Sequence, residues 1–389
     1  MRIILVTGPG GAGRTTVAAA TALAAARAGR RVLLVSAEAD AVLGEGTAGL
    51  DLLRPDPGHD FRREFLALQK RSAAALDLLG AVPFEDAELT ELPGSTEFAL
   101  LRALHDAAAG DHELVVADLP PLPAAIALLA LPEQLRRYLR RALPPERQAA
   151  RALRPMLAQL AGVPMPAQWL YETAARWEAE LAAVQAVVDA PDTAVRLVAE
   201  PGPAAADALR TARLGFALHG LRVERVVANR VLPAESPDPW LAAWAERQHG
   251  HLDELRAAYG SVHALPHLGR DPRGPGDLAA LGLHDEPAAP DPRLVPAPRS
   301  AVDEPAEPGG VLTWRLPVPG AAKPDIALVR RGDELLLGVG PFRRVLPLAP
   351  VLRRCTVSGA ALVDGELRIR FTPDPDLWPK GSVPSVRTP

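Results

Sequence analysis

The amino-acid sequence predicts an α/β protein with a mostly parallel sheet covered by helices on both faces, followed by a small all-β sandwich. Through roughly the first two thirds of the 389 residues, short apolar runs alternate with longer helical patterns. Strands that are apolar on both faces and alternate with helices are typical of a parallel sheet that is buried on both sides. Toward the C-terminus the pattern changes to alternating apolar and polar residues between turn signals, which is typical of antiparallel strands.

Six apolar runs are the predicted strands of the parallel sheet. They span residues 2–8, 31–38, 113–119, 194–201, 224–231 and 262–268. The alanine-rich pattern after the first run predicts a helix that ends at Gly29, because glycine is favoured at helix C-termini. Between residues 128 and 190 the pattern is helical throughout, so we expect a helical insertion in the α/β domain there.

Changes in composition divide the chain into segments. Residues 1–285 form the predicted α/β domain, and residues 286–309 are rich in proline, alanine and acidic residues, which is typical of a semi-stiff linker. The alternating pattern of residues 310–372 predicts the sandwich, in which the turn Asp364–Gly365 indicates a β-hairpin. Residues 373–389 are expected to be a disordered tail.

Composition and charge argue against several classes of protein. The net charge of −4 does not suggest a nucleic-acid-binding surface, because such binding depends on neutralising phosphates. The basic run 133–155 is interpreted as a solvated helix face, with a specific partner as the alternative. The single cysteine, Cys355, excludes an internal disulfide and a cysteine-based zinc or arsenite site. No apolar stretch approaches the roughly 18 residues of a membrane span, and the chain starts directly with a strand pattern. We therefore expect a cytoplasmic protein, with peripheral membrane association left open.

The stretch GPGGAGRT, from Gly8 to Thr15, has the spacing of a phosphate-binding loop. It follows a predicted strand and leads into a predicted helix. In such a loop, glycines allow successive backbone N–H groups to converge on a phosphate at the positive end of the helix. The hydroxyl of Thr15 stands where a Mg²⁺ ligand is expected. A glycine-rich turn without a ligand is the alternative interpretation.

Polar residues end three of the predicted strands. Glu38, Asp118 and Asn229 each follow an apolar run. Because ligands of open α/β sheets bind at the carboxyl ends of the strands, we expect all three residues on the edge that carries the loop. The carboxylate of Asp118 is the candidate to hold the water shell of Mg²⁺. Each residue alone is also consistent with an ordinary turn, and only the set favours a nucleotide site.

The order of these motifs resembles the ArsA-type ATPases. This is the family of the arsenite-pump ATPase and of the factor that targets tail-anchored membrane proteins, within the P-loop class with a deviant Walker A motif. The matching segments are GPGGAGRTT, RRVLLVSAEADAVLG, ELPGSTEFALLRAL, VVADLPPLPAAIALLALPE, VVANRVLP and LPHLGRDPRG. Residues 310–372 are similar to the α-crystallin-like domain that is appended to some members. The resemblance covers most of residues 1–371 and implies a homodimeric, Mg²⁺-dependent ATPase.

The resemblance implies roles for residues of this sequence. Glu38 is implied to position the attacking water, Thr15 and Asp118 to hold Mg²⁺, and Asn229 with Pro266 to contact the adenine base. Glu38, Asp118 and Arg14 are the implied catalytic residues. The residues implied to hold the phosphates of ATP are Gly10, Gly11, Ala12, Gly13, Arg14, Thr15 and Thr16.

The sequence departs from the family at positions that matter for hydrolysis. Pro9 replaces the signature lysine that would reach the nucleotide of the dimer partner, and Arg14 replaces the second lysine. The chain has only three lysines among its 43 basic residues, which would account for Arg14 but not for Pro9. Glu38 replaces an aspartate and is one methylene longer, and a misplacement of about 1 Å can cost on the order of a hundredfold in rate. Three prolines in residues 120–123 stiffen the second switch. Hydrolysis is therefore expected to be very slow or absent.

Two functions follow from these expectations. One is a very slow ATPase that acts as a dimeric switch or targeting factor for an unknown protein client, and the other is a pseudo-ATPase that serves as a protein-interaction module. A chromosome-partitioning ATPase shares the fold but would need a basic surface for DNA. A groove for an apolar client would have to come from the helical insertion, and simple packing of its helices is the alternative. The apolar residues of the insertion include Met156, Met165, Trp169, Leu170 and Trp177.

Overall fold

The computed structural model describes residues 1–44, 49–71, 73, 77, 80, 82–143, 168–284, 301–303 and 310–378. The chain divides into two compact units. The first contains Met1–Val198 and Leu265–Pro287, and the second contains Ala199–Ala264 and Ala288–Pro389. Among the described residues, no helix has the length and hydropathy needed to cross a lipid bilayer.

A seven-stranded parallel sheet forms the α/β part of the chain, which confirms the predicted fold class. Its strands are β1 (Arg2–Thr7), β2 (Val32–Val35), β3 (Leu50–Leu53), β4 (Leu114–Asp118), β5 (Thr193–Ala199), β6 (Val223–Val231) and β7 (Val262–Pro266). They lie in the order β3-β2-β4-β1-β5-β6-β7. The central strand β1 is almost fully buried, and its residue Val6 pairs with Asp118 of β4. The carboxyl ends of β1 and β4 therefore lie side by side.

Nine α-helices are found in the described part of the chain. They are α1 (Arg14–Arg27), α2 (Asp40–Leu43), α3 (Pro57–Arg71), α4 (Ser95–Ala108), α5 (Ala124–Ala142), α6 (Gln168–Val188), α7 (Pro203–His219), α8 (Pro239–Tyr259) and α9 (Gly274–Ala280). The alanine-rich helix α1 packs against β1 and β4, and its small side chains allow this close approach. Gly29 follows α1 in the left-handed conformation, with φ of 84°, as predicted for the end of the helix.

The predicted helical insertion corresponds to α5 and α6. Helix α5 begins at Ala124, earlier than predicted, and residues 144–167 lie outside the described part of the chain. Arg136 and Arg140 of α5 both donate hydrogen bonds to Glu178 Oε1 of α6, at 3.1 and 3.0 Å. The Arg140 side chain is 59% exposed, as expected for a solvated face, whereas that of Arg136 is 24% exposed, so the interpretation is wrong for Arg136.

Two antiparallel sheets form the predicted sandwich in the second unit. Their strands are β8 (Ala301–Asp303), β9 (Leu312–Pro317), β10 (Ile326–Arg331), β11 (Glu334–Val339), β12 (Phe342–Pro347), β13 (Cys355–Val363) and β14 (Glu366–Pro373). The sheets have the orders β10-β11-β12 and β13-β14-β9-β8. The predicted hairpin is β13–β14, and both of its turn residues, Asp364 and Gly365, have positive φ, as tight hairpin turns require.

Two stretches expected to lack structure contain ordered residues. Residues 301–303 of the predicted linker form β8, which pairs with β9, so the prediction is wrong for them. Strand β14 ends at Pro373 and Trp378 packs against the sandwich core, so the predicted tail is ordered as far as Trp378. The rest of the predicted linker and residues 379–389 lie outside the described part of the chain.

Helix α7 belongs to the same unit as the sandwich. Its residues Leu214 and Leu218 lie in one apolar core with the inward-facing residues of the strands. Arg344 of β12 donates a hydrogen bond from Nη1 to the carbonyl of Leu218, at 2.8 Å. Residues 199–264 are grouped with the sandwich in this unit, and the domain boundary at residue 285 stays a prediction.

Candidate nucleotide-binding site

Residues 8–13, the candidate phosphate-binding loop, join β1 to α1. Gly11 and Gly13 have φ of 76° and 87°, a left-handed conformation that glycine adopts at low cost. A Cβ atom on Gly8 would lie 1.9 Å from the carbonyl oxygen of Val198, so only glycine fits there. The first turn of α1 contains no acidic residue, which leaves its positive end available to an anion.

Asp118 lies at the end of β4, beside this loop. Its Oδ2 atom accepts hydrogen bonds from the hydroxyls of Thr15, at 2.7 Å, and Ser36, at 2.9 Å. Its Oδ1 atom is buried without a hydrogen-bond partner among the described residues. Burial raises the pKa of the Asp118 carboxyl above its ordinary value, while the hydrogen bonds from Thr15 and Ser36 act in the opposite direction. The charge of Arg14 also lowers the pKa of Asp118, and a bound cation would supply a direct partner to the buried Oδ1 atom.

Ser36 is a site residue that the sequence did not single out. It is 1% exposed, and its hydroxyl accepts a hydrogen bond from the backbone N–H of Glu38, at 3.3 Å, as well as donating to Asp118. The signal was present, because β2 and β4 are neighbours and a serine directly follows Val35 at the end of β2. Ser36 therefore links the end of β2 to the carboxylate of Asp118.

The loop that follows Asp118 is bound to the phosphate-binding loop at several points. Thr7 donates from its hydroxyl to the carbonyl of Pro120, at 2.7 Å, and the N–H of Leu122 donates to the carbonyl of Gly8, at 3.0 Å. The guanidinium group of Arg14 donates to the carbonyl of Leu119. Residues 119–122 are thus fixed on one side by β1, the glycine-rich loop and α1.

The other predicted site residues lie in different surroundings. Glu38 is exposed, whereas Pro9 and Thr16 are partly buried. Shortly after Glu38, the carboxylate of Asp40 accepts two hydrogen bonds from the guanidinium group of Arg54. The Arg54 guanidinium lowers the pKa of Asp40 below its ordinary value. Glu38 therefore keeps solvent access, in contrast to Asp118.

Two residues predicted to contact the base lie on different strands and in different units. Asn229 is 4% exposed near the end of β6, in the second unit. Pro266 is exposed at the end of β7, in the first unit.

An apolar cavity lies between α4, α5 and α6 in the first unit. Its volume is about 470 Å³, and Trp177 is one of its lining residues. Of the other residues predicted for a groove, Met156 and Met165 lie outside the described part of the chain, whereas Trp169 and Leu170 belong to α6. Apolar residues that line the cavity include Phe98, Leu101, Leu131, Leu135, Leu181 and Val184.

The residues of the loop and of Asp118 fit a magnesium ion that is bound together with a phosphate. Mg²⁺ is usually held by one or two carboxylates, water and substrate phosphates, rather than by a complete protein cage. The unpartnered Oδ1 of Asp118 and the nearby Thr15 hydroxyl offer oxygen ligands of this kind. The described residues contain no group of three or more His, Cys, Asp or Glu side chains able to hold a metal ion.

A glycine-rich loop between the first strand and first helix of a parallel sheet, with a carboxylate on the adjacent strand, defines the P-loop class of α/β proteins. Comparison with protein families identifies the particular family. Residues 1–43 and 50–281 match the anion-transporting ATPases, known as ArsA ATPases, and residues 309–371 match the HSP20-like domain found in ArsA. The chain belongs to the ArsA ATPase family, which confirms the resemblance seen in the sequence motifs.

Several curated proteins are similar to the chain over nearly its whole length. An uncharacterized protein of Streptomyces coelicolor is 56% identical over 98% of this chain and 100% of its own length. A protein of Mycobacterium tuberculosis is 31% identical over 97% of both chains. A protein of Aquifex aeolicus named "Putative arsenical pump-driving ATPase 1" is 26% identical over 95% of this chain and 99% of its own.

Proposed function

We propose that this protein binds MgATP at residues 8–16 and hydrolyses it very slowly, as a nucleotide-dependent switch in a homodimer. The observation that carries the proposal is the Asp118 carboxylate. One of its oxygens accepts hydrogen bonds from Thr15 and Ser36, and the other is buried without a hydrogen-bond partner in the described part of the chain. A buried, unpaired charged oxygen is costly, so its retention is best explained by a bound cation. ArsA-family proteins typically work as dimers, which supports the homodimer.

Each site residue has a defined task in this proposal. The backbone N–H groups of residues 10–16 hold the phosphates, and Thr15 and Asp118 provide oxygens to Mg²⁺, which neutralises charge on the phosphates when bound. Glu38, which is solvent-exposed, orients the attacking water. Asn229 and Pro266 contact the adenine base.

Several features support slow turnover. Pro9 has no charge to offer a dimer partner, and Arg14 carries a broad planar group where a compact ammonium is usual. The prolines in residues 120–123 and the hydrogen bonds from Thr7 and Arg14 hold the loop after Asp118, which limits its response to a γ-phosphate.

The runner-up is a pseudo-ATPase that binds a protein partner without hydrolysis. It is favoured by the contact between Arg14 and the Leu119 carbonyl, because a guanidinium bound there is not directed at a phosphate. In either case, the apolar cavity between α4, α5 and α6 supports a client with an exposed apolar segment, as a chaperone-like targeting factor would need. A peripheral association with membranes is compatible with such a client.

Thermal stability and phosphate release distinguish these functions. We expect MgATP to stabilise the natural protein and to be hydrolysed slowly but measurably, and a Pro9→Lys, Arg14→Lys double variant to release phosphate faster. Arg27→Lys, at the far end of α1, is the matched control for exchanging arginine for lysine in the same helix. Stabilisation without turnover in the natural chain, together with turnover in the double variant, favours the pseudo-ATPase. If MgATP stabilises neither chain, both nucleotide functions are refuted.

A further inference from the structure

The backbone of β6 departs from strand geometry directly after Asn229. Arg230 has φ of 57°, in the left-handed region that arginine rarely adopts. Among the described residues the other non-glycine residue with positive φ is Asp364, which lies in a hairpin turn where this conformation is required. Arg230 lies within a strand instead, so its conformation needs another explanation.

A buried glutamine holds this departure in place. Gln248 of α8 is 4% exposed, and its Nε2 atom donates to the carbonyl of Arg230, at 3.0 Å. Its Oε1 atom accepts from the N–H of Leu232, at 2.8 Å. The Arg230 side chain is fixed as well, because its Nη1 atom lies 3.2 Å from Oε2 of Glu200. Both the backbone and the side chain of Arg230 are therefore restrained by partners within the second unit.

This arrangement determines how the end of the strand is oriented. A residue in the left-handed conformation redirects the neighbouring side chains, as in β-bulges near functional sites. Strained backbone persists only where its surroundings hold it, and such positions cluster at ligand sites. The residue that precedes the strained position is Asn229, whose buried side chain is the one proposed to contact the base.

We propose that Gln248 and Arg230 are positioning residues that fix the Asn229 amide for discrimination of adenine from guanine. This inference rests on the proposed function, in which Asn229 contacts the base. A carboxamide in one fixed orientation accepts from the adenine amino group and donates to a ring nitrogen. Guanine presents an oxygen in place of that amino group, which would face the carboxamide oxygen. Loosening the Arg230 backbone lets the amide turn over and removes this discrimination.

The test compares dissociation constants for MgATP and MgGTP, measured by calorimetry. Gln248→Met removes both hydrogen bonds to the strand with little change in volume. Its matched control is Gln69→Met in the first unit. The Gln69 side chain likewise donates one hydrogen bond to a backbone carbonyl and accepts one from a backbone N–H, both of Phe84. We expect the preference for ATP to fall about tenfold in Gln248→Met and to be unchanged in Gln69→Met. If Gln248 had a purely structural role, Gln248→Met would weaken the binding of MgATP and MgGTP equally, and the ratio of their dissociation constants would not change.

Two substitutions at position 230 keep the test decisive if Gln248→Met does not fold. Arg230→Asn retains a residue that tolerates the left-handed conformation, whereas Arg230→Val introduces one that does not. We expect the preference for ATP to survive in Arg230→Asn and to be lost in Arg230→Val. The inference is overturned if Arg230→Asn and Arg230→Val lose the preference for ATP equally, or if a folded Gln248→Met keeps the full preference. Either result leaves the proposal of nucleotide binding intact. Natural protein that binds neither nucleotide overturns the proposed function as well.

Discussion

Replacing Asp118 by asparagine is expected to have opposite effects on the free and the ligand-bound protein. In the free protein, the ionised carboxylate places an oxygen at the end of β4 that is buried without a hydrogen-bond partner from any described residue. Burial raises the pKa of this carboxyl, which means that the native state disfavours the charged form. Asp118→Asn removes that charge and should stabilise the free protein. It also removes the charge proposed to bind Mg²⁺, so stabilisation by MgATP should disappear.

The size of both effects can be worked out from the site. An unsatisfied buried polar group costs about 1–3 kcal/mol, and more when charged, so removing the charge should recover up to about that amount. In the natural protein, MgATP at a hundred times its dissociation constant adds about 2.7 kcal/mol. For a unit of roughly 150–250 residues, each kcal/mol shifts the melting temperature by about 2–4 °C, so MgATP should add about 5–10 °C.

Differential scanning calorimetry of natural protein and variant, with and without MgATP, measures both effects. Asp111→Asn is the matched control, because the Asp111 side chain is 84% exposed. Because the pKa of Asp118 is raised in the folded protein, Asp118 contributes to the free energy of unfolding at low pH. This contribution is lost as the pH rises through the folded pKa. The variant should lack this loss. A variant that melts at a lower temperature without ligand, or that keeps the full MgATP shift, would refute the reasoning.

Three further substitutions test the packing around the site and in the second unit. Gly8→Ala should prevent folding or stabilisation by MgATP, because the added Cβ atom would collide with the Val198 carbonyl. Gly10→Ala should be tolerated, because no described atom lies within 4 Å of its added Cβ atom. Melting curves with and without MgATP compare the two variants. Leu218→Ala should destabilise the second unit by about 2–5 kcal/mol, as judged by faster hydrogen exchange in β11, and unchanged exchange would contradict a shared core. The pKa of His219 is lowered from 6.5 to about 4, chiefly by burial and secondly by Arg344. A histidine held neutral in this way costs stability as pH falls from 6.5 toward 4, so hydrogen exchange should show a loss of about 2 kcal/mol between pH 7.5 and 5 that His219→Gln lacks. An identical loss in His219→Gln would exclude His219 as its source.

The sequence predicted those parts of the site that depend on local pattern. The loop between Gly8 and Gly13 needs backbone conformations that favour glycine, so the glycines in the sequence indicate the loop directly. The position of Asp118 at the end of β4 was predictable for a similar reason, because a carboxylate after an apolar run indicates the end of a buried strand. Apart from β3, the strands of the parallel sheet were predicted from their apolar runs.

Features that depend on distant contacts were missed. Strand β3 has only four residues, and Asp51 interrupts its apolar run, so its position at the edge of the sheet comes from pairing with β2. Strand β8 lies in a proline-rich stretch and is a strand because it pairs with β9. The packing of α7 on the sandwich core could not be predicted either, since an amphipathic helix shows which face is buried but not which surface covers it.

Two departures from the family motif act on the same loop in this structure. Proline has no N–H, so a loop rich in proline offers its neighbours mainly carbonyl acceptors. Two side chains that meet this loop are donors: Thr7 donates to the Pro120 carbonyl, and Arg14 donates to the Leu119 carbonyl. A guanidinium has five donors in a planar fork, whereas an ammonium is a compact point charge, so arginine suits this contact better than lysine. Arg14 and the prolines of residues 120–123 therefore both restrain this loop. Restoring lysine at position 14 alone should remove one restraint, while the prolines should still keep the loop from acting as a mobile switch.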